Sequence, residues 1–558
     1  MKKALYRLWS IVIIPLFTLS AQAQPIPNTP VIDPSALPIE PLEPLPELPP
    51  QPDEPLELDR PPSVSTPEDS PPVLFFVEDI QVVGNTLFDT EIKALVEPLE
   101  GREITFDALL ELRTRITRLY LDNGYISSGA FIPINQILND GIVQIQIVEG
   151  YVEQIQINGL TRLRESYVRD RLTRAIEPPL NVQRLEEVLQ ILQVDPLLQN
   201  VDAELTAGSR PGQNLLILDL VEAEPFVANF RTNNYRAPSI GSHQGNATVS
   251  HLNILGFGDR LSLGYALTEG LNSYDVSYTI PVNSSDGTLQ LRYDNARSEI
   301  VTSQFRDAGI RSNSETFSVN FRQPLARSLT SEFALSFGFD FRDSRSFILD
   351  DIPFSFSIGP ENGVSRVRAL RLAQEWVNRD VNSVIAARSQ FSFGLDIFDA
   401  TVNTTGTDGH FFAWLGQFQW VEQLSPQTLL VTRINAQLTP DSLLPLERFS
   451  VGGIDTVRGY IQNQIVTDNA ITASTEFRFP IANDLQLAPF IDAGGGWNNQ
   501  SPNPDPAFLL SLGLGLRWQP ADGLDVRLDY GLPLISPEDE GSSLQEDGFH
   551  FSVNLQPF

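Results

Sequence analysis

The sequence predicts two small α+β repeats followed by an all-β, sixteen-stranded transmembrane antiparallel β-barrel. Three observations carry that prediction. The chain opens on an export signal, yet no apolar run in its 558 residues is long enough for a membrane helix. A strand–helix–helix–strand–strand pattern occurs twice between residues 73 and 225. From residue 226 to 558 helical periodicity disappears, and segments of roughly ten residues alternate apolar and polar, as in strands with one face in lipid and one in water.

Residues 1–23 read as a signal peptide. Lys2, Lys3 and Arg7 precede an apolar run from Leu8 to Leu19, and Ala21-Gln22-Ala23 supplies small residues before the cleavage point. Residues 24–72 are an acidic linker. They hold 17 prolines and 10 carboxylates against Arg60 alone. Proline fixes φ and removes a donor, so an extended, self-repelling spacer is expected and no helix can form there.

Residues 73–149 form the first predicted repeat. Phe75–Val83 reads as one strand ending at Gly84-Asn85, and Asp89 is placed to cap a short helix through Val96. Thr105 is placed to cap a longer helix with Leu109, Leu112, Ile116 and Leu119 on one face, stopped at Asn123-Gly124. Strands are expected at 127–133 and 142–148. Residues 150–225 repeat the plan, with strands at 152–157 and 215–221 and helices near 164–175 and 181–192. In residues 226–558, counting alternating segments gives sixteen, an even number that suits a bacterial barrel. Leu524, Val526, Leu528, Tyr530 and Leu532, interleaved with Asp525, Arg527, Asp529 and Gly531, illustrate the pattern.

Composition excludes several classes. A net charge of −32 argues against nucleic acid as a partner. There are no cysteines, and the four histidines are scattered, so no catalytic residue, no metal site and no cofactor is expected. Lys93 follows Ile92 rather than a glycine, so no Walker A sequence exists and no nucleotide is expected.

Residues 109–160 run from a helix through Gly124-Tyr125-x-Ser127, Pro133 and Gly141 to Val148-Glu149-Gly150. This stretch resembles the first POTRA domain of two-partner secretion transporters, the TpsB family of haemolysin and filamentous-haemagglutinin exporters. Residues 447–460, ERFSVGGIDTVRGY, resemble that family's signature in the sixth extracellular loop: Gly452, Gly453, Val457, Arg458, Gly459 and Tyr460. Phe490-x-Asp492-x-Gly494 resembles its companion motif on a late barrel strand.

The resemblance implies two POTRA domains, at 73–149 and 150–225, and a barrel at 226–558 in the bacterial outer membrane. It implies secretion of a large partner protein, unfolded in transit and β-helical in type. It implies a tether in which Arg458 meets Asp492. Alternation by itself places Asp492 on the lumen side, where the expected contact is hydrated and weak. The terminal Phe558 resembles the signal by which barrel-assembly machinery recruits its clients. A plug helix ahead of the POTRA domains, which the family also implies, conflicts with the proline content of 24–72. Two other readings fit less of the chain: a barrel-assembly factor of the same superfamily, and a passive porin, which leaves both repeats unexplained.

Overall fold

The structure, a computed structural model, describes residues 74–134, 136, 141–404, 406–536 and 543–557. The signal peptide, the proline-rich linker and Phe558 lie outside the described residues. Among the described residues no helix is long and apolar enough to cross a membrane.

The first α/β unit begins with β1 (Leu74–Val77) and β2 (Asp79–Val83), followed by α1 (Asp89–Val96), β3 (Arg102–Thr105), α2 (Phe106–Asp122), β4 (Gly129–Phe131) and β5 (Ile142–Val148). The single strand expected at 75–83 is broken at Glu78. Its first half pairs with β3, which the sequence did not show, while its second half runs parallel to β5. Asp89 is not a cap either. It is the first helical residue, and Phe88 takes the cap position at φ 62°. Thr105 does cap α2, its hydroxyl accepting from the Ala108 N–H at 3.2 Å. On α2 the buried stripe is Leu109, Leu112, Ile116 and Tyr120; Leu119 is only partly covered. One turn after Ile116, Tyr120 takes the deep position and its hydroxyl donates to Glu149 at 2.8 Å.

The second unit consists of β6 (Tyr151–Asn158), α3 (Glu165–Leu172), α4 (Val182–Gln193), β7 (Leu198–Ala207) and β8 (Gln213–Glu222). The Asn181 side chain caps α4 by accepting from the Gln183 and Arg184 N–H groups. In each unit the last strand lies in the middle of a three-stranded sheet, β5 parallel to β2 and β8 parallel to β6: β2-β5-β4 and β6-β8-β7. The internal repeat extends to a side-chain device. Glu149 ends β5 and accepts from the backbone of Thr86 at 2.7 Å and Leu87 at 3.3 Å; Glu222 ends β8 and accepts from Thr161 at 2.6 Å, Arg162 at 2.7 Å and Leu163 at 2.9 Å. Each carboxylate closes the turn that leads into its unit's first helix.

Burial by itself would raise the Glu222 carboxyl, but the N–H groups of Leu163 and Thr161, with the Arg162 guanidinium and N–H, hold it down to about 2. A depressed carboxyl stabilises the fold above its unfolded value of 4.5, and that stabilisation is lost as pH falls toward 2. Glu222→Ala leaves three N–H groups without their acceptor, a cost of about 2–3 kcal/mol. The variant is expected to expose residues 150–222 to protease at neutral pH, while the wild type does so only as pH drops below about 4. Limited proteolysis of the full chain across a pH series checks this.

From Phe226 onward, sixteen long strands among the described residues close into an antiparallel barrel, with a two-residue strand, Ile352–Pro353, added beside Ser331–Ile348. The long strands fall on all sixteen alternating segments. Closure pairs Phe549–Leu555 with Phe226–Asn233, in register from Ser552↔Asn233 to Leu555↔Phe230. The outward row is apolar, with Leu263, Phe337, Trp376, Ile434, Ile491, Leu512 and Leu528 exposed. The inward row is charged. That division is what lipid outside and water inside require, since closed pairing satisfies every backbone group.

The second unit docks on the barrel's near end. The Arg164 guanidinium lies 3.6 Å from the Phe257 ring centroid, and Arg171 reaches Asp286 in a hairpin turn at 2.9 Å. Asp286 in turn pairs with Arg327 of the wall at 2.6 Å.

Candidate functional site: the loop inside the barrel

Residues 439–468 join the strands Thr428–Leu438 and Asn469–Ala482. This loop turns inward. Within it Phe449–Val451 pairs antiparallel with Ile465–Thr467. Phe449, Val451, Val457, Tyr460 and Ile465 of the loop pack with Ala470 and Leu509 of the wall into a dry cluster. A loop that brings its own small core inside a polar lumen has a fixed seat there.

Gly452 and Gly453 make the turn at φ 111° and 92°, a region that side chains avoid. The Thr456 hydroxyl accepts from the Gly452 N–H at 2.8 Å and fixes the loop tip. Gly459, at φ 89°, lies so close to the wall that a Cβ there would sit 2.8 Å from the Gly531 backbone. A Cβ on Gly494 would meet Val451, Thr472 and Val457 at 2.8 to 3.0 Å. Both glycines are thus points of close contact between loop and wall. Tyr460 is buried, and its hydroxyl donates to the carbonyls of Leu510 at 2.9 Å and Ile535 at 2.8 Å.

Arg458 makes the central contact. Its Nε donates to Asp492 Oδ2 at 2.7 Å and its Nη2 to Asp492 Oδ1 at 2.9 Å, the two-point geometry of a planar fork on a carboxylate. The Arg458 backbone N–H also donates to Asp492, at 3.1 Å. The guanidinium lies 3.4 Å from the Phe490 ring centroid. Nη1 reaches Glu476 and, at 3.1 Å, Asp529. Ser474 donates to Asp492 at 2.6 Å and holds it in place. Around this centre Arg517, Arg478 and Arg527 neutralise Glu476 and Asp529.

The expected hydrated, weak contact is not what the structure has. The Arg458 side chain is 3% exposed and that of Asp492 1%. The loop's apolar cluster and the Phe490 ring exclude water, so the pair is a buried ionic knot with four strands contributing to it.

Sequence reading missed Ser474, Glu476 and Asp529, and it missed a second anchor. Glu447 of the loop pairs with Arg342 at 3.1 Å and Arg371 at 2.8 Å on another part of the wall. The only available signal was that the five wall residues among these, Ser474, Glu476, Asp529, Arg342 and Arg371, alternate onto the lumen side. This second contact is wetter, with Arg342 16% and Arg371 14% exposed. Glu447→Gln is expected to free the loop's first limb while the Arg458 knot stays, raising single-channel conductance in planar bilayers. Conductance equal to wild type would show that Glu447 carries no holding force.

A closed lipid-facing barrel, an α/β arm at one end and an inward loop pinned to the wall together define an outer-membrane protein transporter of the POTRA-plus-barrel kind. The chain belongs to the haemolysin secretion/activation protein ShlB/FhaC/HecB family, whose model matches residues 212–518; residues 75–150 match the POTRA domain, ShlB-type. Among curated relatives it is similar to outer membrane transporter CdiB of Escherichia coli, 23% identical over 513 residues, covering 86% of this chain and 82% of that protein. It is also similar to heme/hemopexin transporter protein HuxB of Haemophilus influenzae (strain 86-028NP), 21% identical over 482 residues and 82% of each chain. The solved structure of CdiB from Escherichia coli shares the fold at TM-score 0.66 and 21% identity, covering 89% of this chain and 92% of that one. BamA from Haemophilus ducreyi lacking POTRA domains 1–3 shares it at TM-score 0.54 and 17% identity, covering 86% and 100%. The chain is an outer-membrane transporter that supports secretion of partner proteins, with its arm in the periplasm.

Proposed function

We infer that this chain secretes one large partner of the adhesin or haemolysin type, in unfolded form. The observation that supports this most directly is the buried Arg458 knot, which seats a loop inside a charged lumen. Residues 73–149 and 150–225 act as the two POTRA domains and receive the arriving chain. The edges of β6 and β7 have no strand partner beyond β8 among the described residues, and an extended segment adds to such an edge through backbone hydrogen bonds. The polar wall then passes the chain, and folding at the cell surface draws it outward. Arg458, Asp492 and the glycines 452, 453, 459 and 494 position the loop in that path.

The test is a deletion strain. One secreted protein is expected to vanish from the medium and collect in the periplasm, with total barrel content of the outer membrane unchanged. A general fall in barrel content instead would make the chain an assembly factor.

A further inference from the structure

Facing outward on the barrel, charged side chains of the long strands cluster on four neighbouring strands, Thr288–Glu299, Arg311–Arg327, Ser331–Ile348 and Val364–Arg379. All lie toward the end away from the arm, which is the extracellular end. The outward row on these strands changes character abruptly. Going outward it reads Phe337, Phe339 and Phe341, then Asp343 and Arg345; on the neighbouring strand it reads Phe321, Val319 and Phe317, then Glu315 and Asn313. Such a switch marks where hydrocarbon ends.

The charges above that boundary are not all equivalent. Arg368 pairs with Asp343 at 2.6 Å, and Arg311 with Asp351 at 2.8 Å. Glu315 accepts from Asn295 at 3.3 Å. Arg297 and Arg345 are exposed, and neither has an ion-pair partner among the described residues. They stand in one cross-strand row, Arg297↔Asn313↔Arg345, two strand spacings or roughly 10 Å apart. In a chain of net charge −32, two exposed guanidiniums without ion pairs among the described residues, on one outward row directly above an aromatic band, suit an anionic group held at the lipid surface.

We propose that Arg297 and Arg345 form a binding site for a phosphate-bearing lipid headgroup of the outer leaflet. Arg345 lies four residues beyond Phe341, roughly 13 Å along the strand and less in height because barrel strands tilt. That places both guanidiniums at headgroup depth, with the phosphate between them and the acyl chains against Phe317, Phe339 and Phe341. The arginine forks suit phosphate oxygens, and the apolar floor selects a lipid over a free anion.

The experiment reconstitutes the full chain into phosphatidylcholine vesicles with and without lipid A, and follows loss of the compact, heat-modifiable form with temperature. Lipid A is expected to raise the wild-type midpoint by about 3 °C or more, and the Arg297→Gln/Arg345→Gln variant is expected to gain nothing. Arg297→Lys/Arg345→Lys, which keeps the charge, is expected to retain part of the shift. If the glutamine variant fails to insert, native mass spectrometry of the wild type decides, with lipid A retained after detergent exchange. Equal shifts in wild type and glutamine variant, no retained lipid, or the same shift from inorganic phosphate alone would each overturn the proposal.

Discussion

Arg458→Ala is expected to abolish secretion of the partner while the barrel still inserts. Insertion depends on closed backbone pairing around sixteen strands, to which the side chain adds nothing. The loop's seat depends on Arg458 directly. Its loss leaves Asp492 buried with only Ser474 and one backbone N–H for company, at a cost of about 3–5 kcal/mol to the seated loop. Asp492→Ala is expected to lose secretion too, but with less loss of heat resistance, because Arg458 keeps Glu476 and Asp529. Arg458→Lys keeps a charge but loses the fork and the flat face over Phe490, so partial secretion is expected. The Arg458→Ala/Asp492→Ala double mutant is expected to secrete no worse than either single mutant, since either change already breaks the contact. Four strains scored at equal membrane levels of barrel provide the measurement. Defects that multiply in the double mutant would mean the two residues act separately.

Deleting residues 75–149 is expected to reduce secretion below detection and to leave an inserted barrel. The second unit has its own core, with Val168, Leu172, Leu185, Leu189, Leu216 and Leu218 buried together, and from the first unit Ile126 packs against it at its margin. The deletion does remove partners of Asn181 and Val182, which bond to Asn123 and Gly124 at 3.0 and 2.9 Å. Those contacts are buried at the junction, at the edge of the second unit's core. Secretion assayed beside heat-modifiable mobility separates a lost receptor from a lost barrel, and normal secretion would exclude the first unit as receptor.

The barrel was legible because membrane strands obey a strong constraint. Each must be apolar on alternate residues, so every one of the sixteen leaves a period of two. The α/β arm was less so. The break at Glu78 and the strand at 102–105 are set by partners distant in sequence, and no local period records them. At the site, the Arg458–Asp492 contact came from motif resemblance, whereas Glu476 and Asp529 did not appear. For Glu476 the reason is register. A bulge between Pro480 and Ala482 shifts the pairing of Asn469–Ala482 with Leu485–Trp497 by one residue. Counted from the turn without the bulge, Asp492 would face Thr475, so alternation, which does put Glu476 on the lumen side, does not bring it beside Asp492. With it, Ser474 faces Asp492 and Glu476 joins the knot. Bulges of this kind are invisible in alternation alone.

The inward loop has a topological consequence. Its two ends continue into neighbouring wall strands, so loop and wall together form a covalent handle, fastened again at Glu447 and Arg458. A polypeptide crossing the membrane passes either through the handle or beside it. A thread inside the handle can leave only by sliding lengthwise to one of its own ends, whereas a thread beside it can also be displaced sideways. Opening the Glu447 clasp alone lets the handle pivot, yet it converts neither path into the other. The side on which the first segment enters therefore commits the whole length of the exported chain.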